Sequence, residues 1–169
     1  MHRYKVFNAA MATTAATAST STGTAIKTML QLATPSTRQI QLISWGFTLD
    51  DPPGADGSIE LIQTDVAASA GTAHVASGVQ PLDPNAPPSL LQLGAALTGY
   101  SFGTEGATTA SRVFDIVALS SVSGESPLTY TCQFMPDERP IVAISKFLRV
   151  RATTPTTAVD LRTWICFDE

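Results

Sequence analysis

The sequence predicts an all-β protein, an antiparallel β-sandwich of roughly eight strands with little helix. Three observations support this: apolar and polar residues alternate in several runs, turn residues rich in Gly and Pro separate those runs, and no long run has helical periodicity. The clearest alternation lies at the end of the chain, in residues 147–152 and 159–167. The link 153–157 is short, so we expect these two strands to form an antiparallel pair on which the earlier strands pack.

The first 24 residues differ in composition from the rest. Apart from methionine, the large apolar residues of this segment are Tyr4, Val6 and Phe7, and a low-complexity run of Ala, Thr and Ser follows them. Such a run cannot bury enough apolar surface to order itself. We therefore expect residues 1–24 to be an extended N-terminal arm ordered by a neighbouring subunit, with Tyr4, Val6 and Phe7 as its interface anchors. A short helix in the alanine-rich part is the alternative, which the threonines weaken.

Residues 25–169 are predicted to form a single β-sandwich domain. The alternation slips by one position between Leu42 and Ile43, which indicates a β-bulge. The proline-rich stretch 79–88 is predicted to be an irregular loop, and 89–97 an irregular or extended segment rather than a helix. In chain order the predicted strands are 26–32, 38–49, 58–66, 112–119, 128–135 and the short run 141–144, followed by the C-terminal pair, while 67–78 is either a strand or a loop.

This succession of short strands and turns favours a jelly-roll-like sandwich. No repeat of about 20–50 residues is visible, so neither a propeller nor a solenoid is predicted. Charged residues make up 14% of the chain and the net charge is −4, so we expect no direct contact with nucleic acid. No apolar run is long enough to suggest a membrane span.

Four basic residues of the C-terminal strands come closest to a basic stripe. We interpret them as a solvated face, or as ion-pair partners of Asp160 and Asp168, rather than as a nucleic-acid site. They are Lys146, Arg149, Arg151 and Arg162.

No arrangement of residues predicts a catalytic centre. The segment Gly99–Gly103 matches the pattern G-x-S-x-G, but no histidine follows Ser101, so a glycine-rich loop is the better interpretation. One internal histidine, His74, cannot supply a multi-histidine metal site. Cys132 and Cys166 lie in predicted strands and are expected to be buried free thiols. We therefore predict no enzymatic activity, no cofactor and no metal.

The turn at 50–57 contains three carboxylates, Asp50, Asp51 and Asp56, whose oxygens are of the kind that Ca²⁺ prefers. They lack the EF-hand spacing, and two prolines interrupt them. A solvated turn is therefore the preferred interpretation.

Several segments, in order, carry a resemblance to a known family. They are Met-Ala-Thr-Thr-Ala-Ala-Thr-Ala at 11–18, Ile-Lys-Thr-Met-Leu-Gln-Leu at 26–32, Ile-Ser-Trp-Gly-Phe at 43–47, Glu-Leu-Ile-Gln-Thr-Asp at 60–65, the loop 79–87, Thr-Gly-Tyr-Ser at 98–101, the stretch 105–114 and Lys-Phe-Leu-Arg-Val-Arg at 146–151. Over Ala12 to Glu169, the chain resembles small structural proteins encoded among the head genes of tailed bacteriophages, especially phages of actinobacteria. The resemblance implies a jelly-roll decoration or cement protein, a homotrimer on the capsid exterior that contacts the major capsid protein and is made in the host cytoplasm.

Two other functions remain open at this stage. A receptor- or glycan-binding jelly-roll module of a phage tail or fibre would need exposed aromatic residues beside polar loops, and Tyr100 with Phe102 is the only candidate pair. A tail or connector component of the same particle is the other possibility. Trp45 and Trp164 could serve as interface aromatics, although core packing is the expected role of both.

Overall fold

Nearly every element of the protein is a β-strand. The computed structural model describes residues 2–11, 15–107, 109–124 and 128–169, so residues Ala12–Thr14 of the predicted arm lie outside the described part. Within these ranges there are thirteen strands and two short 3₁₀ helices, Ala76–Gly78 and Pro136–Glu138. The strands are β1 (Arg3–Phe7), β2 (Thr20–Ser21), β3 (Lys27–Ala33), β4 (Ile40–Leu49), β5 (Gly57–Thr64), β6 (Thr72–Ala73), β7 (Val79–Pro81), β8 (Gly99–Tyr100), β9 (Arg112–Leu119), β10 (Thr129–Gln133), β11 (Ile141–Val142), β12 (Phe147–Thr153) and β13 (Asp160–Asp168).

The strands form two antiparallel sheets packed face to face. Sheet I has the order β10-β4-β13-β1-β7, with β11 also beside β4 and β2 also beside β13. Sheet II has the order β6-β8-β3-β12-β5-β9. The predicted all-β sandwich is therefore confirmed. The core lies between the sheets because one set of alternating side chains from each strand points inward, as Leu148, Val150 and Ala152 of β12 do.

The predicted pairing of the last two strands is wrong. Strand β12 pairs with β3 and β5 in sheet II, whereas β13 pairs with β4 and β1 in sheet I. The link between them carries the chain from one sheet to the other. Alternation reveals that one face of a strand is buried, but it does not identify the neighbouring strand, and a link this short can also span two packed sheets about 10 Å apart.

The chain crosses between the sheets twice in the same way. We call β3 with β4 the N-terminal unit and β12 with β13 the C-terminal unit. The first strand of each unit ends two residues before a proline, Pro35 or Pro155, and the second begins five residues after it. The cross-strand partners Trp45 and Ile165 each stand ten residues beyond their proline. A pseudo-twofold axis therefore relates the two units.

The threonine before each proline has an equivalent role in both units. Thr34 and Thr154 are buried. The hydroxyl of Thr34 donates to the carbonyl of Ala143 at 2.7 Å, and that of Thr154 donates to the carbonyl of Gly23 at 3.0 Å. Because each acceptor lies four residues before the first strand of the other unit, the two hydroxyls fasten the units to each other.

The prediction of an arm ordered by a neighbour is wrong for residues 3–8 and 20–21. Strand β1 lies inside sheet I between β13 and β7, and β2 pairs with β13. Asn8 is buried and exchanges side-chain hydrogen bonds with the backbone of Leu161 and Thr163. The sandwich therefore begins at Arg3 rather than near residue 25. None of the described residues between 9 and 18 is helical.

Three bulges shape the sheets. In β4 the residue opposite Cys166 is Ser44 and the residue opposite Phe167 is Leu42, so Ile43 is the extra residue, as the slip of phase predicts. In β3 the extra residue is Met29, opposite β12, and in β9, the edge strand of sheet II, it is Phe114. A bulge changes which face the following side chains occupy, and each of these therefore affects what the neighbouring surface presents.

Candidate interaction surfaces

The centre of the outer face of sheet II, around Arg149, is covered by the protein's own loops. Arg149 of β12 is fully buried there, where its guanidinium donates to the carbonyls of Glu105 and Val66 and lies 3.4 Å from the Glu105 carboxylate. The same carboxylate accepts hydrogen bonds from the backbone and hydroxyl of Thr28. Burial lowers the pKa of Arg149, while Glu105 opposes that shift. The part of this face around Arg149 is therefore covered, whereas Val113 and Ile116 at its β9 edge stay exposed.

The basic residues of the C-terminal strands form no continuous stripe. Three of them pair with carboxylates that we did not predict: Lys146 with Asp65 at 2.8 Å, Arg151 with Glu60 at 2.7 Å, and Arg149 with Glu105. The expected pairing with Asp160 and Asp168 is wrong, because Asp160 accepts from the hydroxyl of Ser19 and Asp168 lies between Arg3 and Arg139.

The outer face of sheet I carries a half-buried tryptophan. Trp164 of β13 lies across Gly46 of β4, where a Cβ atom would stand 2.9 Å from the indole ring. The ammonium of Lys5 lies 4.2 Å from the centre of that ring and 5.1 Å from the centre of the Phe7 ring. Cation–π contacts of this kind join the outward-facing side chains of β1 and β13. Trp45, in contrast, belongs to the core.

The predicted interface anchors divide between the two sides of sheet I. Tyr4 is 1% exposed and Val6 is 0% exposed, because both point into the core from β1. The prediction that they contact a partner is therefore wrong. Phe7 is half-buried on the outer face beside Lys5, and its predicted contact with a neighbour stays a prediction.

The surface most suited to a partner lies along the β9 edge of the sandwich. An open groove of about 560 Å³ separates Arg112–Phe114 of β9 from Phe134 and residues 137–141, which follow β10. Its lining combines apolar residues with residues of both signs of charge. We call the exposed residues on both banks of this groove, together with Ile116 and Met135, the edge surface.

Exposed apolar side chains are concentrated in this part of the molecule. Twelve large apolar residues are exposed in the described ranges, and seven of them lie between positions 113 and 144. Grouped exposed apolar residues are typical of a surface that another molecule covers. The seven are Val113, Ile116, Val122, Leu128, Met135, Ile141 and Ile144.

A hydrogen-bonded cluster holds the edge together from beneath. Oδ2 of Asp115 in β9 accepts from Nε1 of Trp45 at 3.0 Å and from the hydroxyl of Tyr130 at 2.8 Å. These bonds join an edge strand of sheet II to β4 and β10 of sheet I. Burial, reinforced by Asp115, raises the pKa of the Tyr130 hydroxyl, so this group stays a donor. These hydrogen bonds therefore hold β9, which carries part of the edge surface, in a fixed position on sheet I.

The composition of β9 indicates the edge surface already in the sequence. From Val113 to Leu119, apolar residues occupy both odd and even positions of β9. A strand of this composition is buried on both faces or exposes an apolar face. Since β9 ends its sheet, the second possibility applies to Val113 and Ile116.

The residues considered for chemistry are used in local structure. Phe102 is 1% exposed, so the Tyr100 and Phe102 pair is not an exposed aromatic site and the prediction is wrong for Phe102. Oδ1 of Asp50 accepts from the backbone of Asp160, and Oδ1 of Asp56 accepts from the backbone and hydroxyl of Ser121. Nowhere in the described ranges do three His, Cys, Asp or Glu side chains gather as a metal site.

Both cysteines are free thiols, with Cys166 buried and Cys132 half-buried. Burial raises the pKa of each thiol and so keeps it protonated. Among the described residues, no helix has the length and apolar character needed to cross a membrane.

No family model, curated protein or solved structure matches this chain. The resemblance to phage-head proteins therefore stays a prediction. Inference about function depends on the surfaces described above, and the edge surface is the most distinctive of them.

Proposed function

We propose that the protein is a structural virion component, a decoration protein that binds the exterior of a tailed-phage head and stabilises it through contacts between subunits. The observation that carries the proposal is the edge surface, a group of exposed apolar residues with a charged rim on a rigid sandwich. Burial of such a surface produces affinity without any reacting group. The expected partners are the major capsid protein and further copies of the chain as a homotrimer.

The order of the strands supports the same proposal. Eight strands make up the main part of the two sheets, and we number them one to eight along the chain. They are β1, β3, β4, β5, β9, β10, β12 and β13. In this numbering the neighbours in sheet I follow the order 1-8-3-6, and those in sheet II follow the order 2-7-4-5. We interpret this interleaving as a jelly roll, the arrangement of two Greek keys that many viral capsid and lectin domains share. Since fold alone does not fix function, it supports the proposal only together with the edge surface and the sequence resemblance.

A decoration protein binds a capsid more tightly when several of its contacts form at once. Each trimer would touch several capsid subunits at once, so modest contacts combine into a high effective affinity. The low proportion of charged residues, 14%, suits a chain whose surface is largely covered by neighbours. The glycan-binding alternative has less support, because its predicted aromatic loop keeps Phe102 in the interior.

Binding to heads tests the proposal directly. Purified full-length protein is mixed with heads that lack decoration, and bound copies per head are counted after sedimentation. Fully decorated heads are the control, because their sites are already occupied. We expect many copies on the undecorated heads and few on the control. Absence of binding to undecorated heads, whatever the oligomeric state, contradicts the proposal, and binding to an array of glycans in its place favours the alternative.

A further inference from the structure

We infer that the edge surface is where copies of this chain pack against one another, the β9 bank of one copy meeting the 134–141 bank of the next. The occupant of the groove is thus a second copy of the chain. The contact itself is argued from the surface; only the expected number of copies, three, rests on the proposed function.

The exposed charges of the two banks are opposite in sign. Arg112 stands on the β9 bank, and Asp137 and Glu138 stand on the other, where Arg139 is only 18% exposed and lies 3.7 Å from Asp168. Within the described residues, neither of these carboxylates makes a side-chain hydrogen bond or an ion pair. Arg112 uses one nitrogen to donate to the carbonyl of Ile141 at 2.6 Å, which leaves further donors of its guanidinium for a partner. When one bank meets the opposite bank of a second copy, the charges become complementary.

The apolar residues are placed to be buried by the same contact. Val113 on the β9 bank is 54% exposed, Ile116 further along β9 is 57% exposed, and Met135, which adjoins the other bank, is 64% exposed. Met135 precedes the 3₁₀ turn that presents the two carboxylates. Each side of the groove therefore combines exposed apolar residues with charged ones, and protein interfaces contain both.

Side-chain packing, rather than strand addition, is the form of contact that the edge permits. Strand β9 ends its sheet, and an uncovered edge strand is a template for pairing with another chain. The bulge at Phe114 interrupts its regular ladder, and Asp115 points a carboxylate inward. Both features are devices by which proteins block edge-to-edge pairing. The second copy is therefore expected to lie across the groove.

A contact between two different banks has a consequence for assembly. It is heterologous, so it repeats from copy to copy and gives a closed ring when the rotation between neighbours closes. Three copies would bring their β9 edges together around one axis. This arrangement leaves the outer face of sheet I, with Trp164 and Phe7, free for other partners.

The test measures the mass of the full chain by light scattering and its assembly constant by sedimentation. We expect a closed oligomer for the natural sequence and monomers for Ile116→Lys, whose exposed position leaves the core intact. The matched control is Leu82→Lys, at a residue 55% exposed beyond β7. This control should assemble as the natural sequence does. Circular dichroism and urea unfolding establish that each variant is folded.

Charge reversal makes the test specific to the two banks. Arg112→Glu alone, and Asp137→Lys with Glu138→Lys, should each weaken assembly by about tenfold or more. The three changes together should restore it, because every contact again joins opposite charges. The triple variant also lacks the Arg112 to Ile141 bond, so its recovery cannot come from that bond. A monomeric natural sequence, assembly unaffected by Ile116→Lys, or no recovery in the triple variant would overturn the inference.

The head-binding experiment keeps the two proposals separate. A natural protein that is monomeric yet binds undecorated heads in many copies overturns the inference and leaves the proposed function standing. An oligomer that is lost in Ile116→Lys but never binds heads supports the inference and overturns the proposed function.

Discussion

The N-terminal and C-terminal units make the same crossing between the two sheets. Each must carry the chain from sheet II to sheet I, and each does so through a loop built around a proline with a buried threonine before it. The units pack antiparallel in both sheets, so each completes the hydrogen bonding of the other. The centre of the sandwich is therefore held by a symmetric arrangement, although the two stretches of sequence are far apart along the chain.

The units differ in where they place their tryptophan. Trp45 stands ten residues beyond Pro35 and points into the core, whereas Trp164 stands nine residues beyond Pro155 and lies on the outer face. The core position opposite Trp45 is taken by Ile165. A shift of one residue in a strand moves a side chain to the other face. Position relative to the turn, rather than residue type, therefore decides which tryptophan packs in the core.

The largest expected effect comes from removing each tryptophan in turn. Trp45→Ala should lower the free energy of unfolding by about 3–5 kcal/mol, because it leaves a cavity and removes a donor from Asp115. Trp164→Ala should lower it by less than about 1 kcal/mol, since it loses a cation–π contact on an outer face. Urea unfolding followed by circular dichroism measures both.

Phenylalanine variants refine this comparison. Trp45→Phe keeps most of the ring volume but loses the hydrogen bond to Asp115, so its loss of stability should lie between those of the two alanine variants. Trp164→Phe is the matched control on the outer face. Equal losses for Trp45→Ala and Trp164→Ala would contradict the different roles assigned to the two positions.

A smaller loss of stability is expected at the positions that follow Trp45 and Ile165. Gly46 and Cys166 both stand eleven residues beyond their proline. A Cβ atom at Gly46 would lie 2.6 Å from the carbonyl oxygen of Tyr130, which belongs to the backbone and cannot easily move. Gly46→Ala should therefore lower the free energy of unfolding by roughly 1–3 kcal/mol. Cys166→Ala removes a single buried sulfur and should lower it by about 1 kcal/mol or less.

Adding Trp164→Ala to Gly46→Ala separates the two causes of strain at this position. The indole ring is the second-nearest group, at 2.9 Å, so its removal should recover only part of the loss. Full recovery would show that the side chain, and not the Tyr130 carbonyl, excludes a Cβ atom here. Chemical denaturation of the single and double variants measures the difference.

Sequence patterns predicted the strands better than their neighbours. The alternation in β12 and the slip of phase at Ile43 correctly indicated the inward residues and the bulge, because both depend on local periodicity. The predicted partners of β1, β12 and β13 were wrong, because a strand's pattern is the same whichever strand it pairs with, in its own chain or in another. Tyr4 and Val6 therefore looked like anchors for a neighbour when they anchor β1 in its own core.

The surfaces were harder to predict than the core. The buried Arg149 pairs with Glu105, which comes from a loop without periodicity, so no pattern connected the two residues. The edge surface depends on β9 being the last strand of its sheet, and only the topology establishes that. The apolar residues on both faces of β9 were visible in the sequence, but without the sheet order they did not distinguish an exposed edge from a central strand.

The smallest expected effect is a change of local stability with pH. It should differ between the strands that flank the two units in sheet I. In sheet I, β13 borders β1, whereas β4 borders β10. The end of β1 is held by His74, whose Nε2 lies 2.9 Å from the carbonyl oxygen of Phe7 and donates to it in the neutral form. His74 is 4% exposed, and this burial lowers its pKa below the ordinary 6.5, although the bond to Phe7 opposes the shift.

Acidification should therefore loosen the β1 side of sheet I before the β10 side. A lowered pKa means that the unfolded chain binds a proton more readily, so the contribution of His74 to stability is complete above pH 6.5 and falls as the pH drops through the pKa of the folded state. Between about pH 7.5 and 5.5, amide protection factors, which are corrected for the intrinsic pH dependence of exchange, should fall in β1 and remain steady in β10. His74→Gln, which stays neutral, should remove this change; an equal fall in both strands, or a fall that persists in the variant, would assign the effect to other groups.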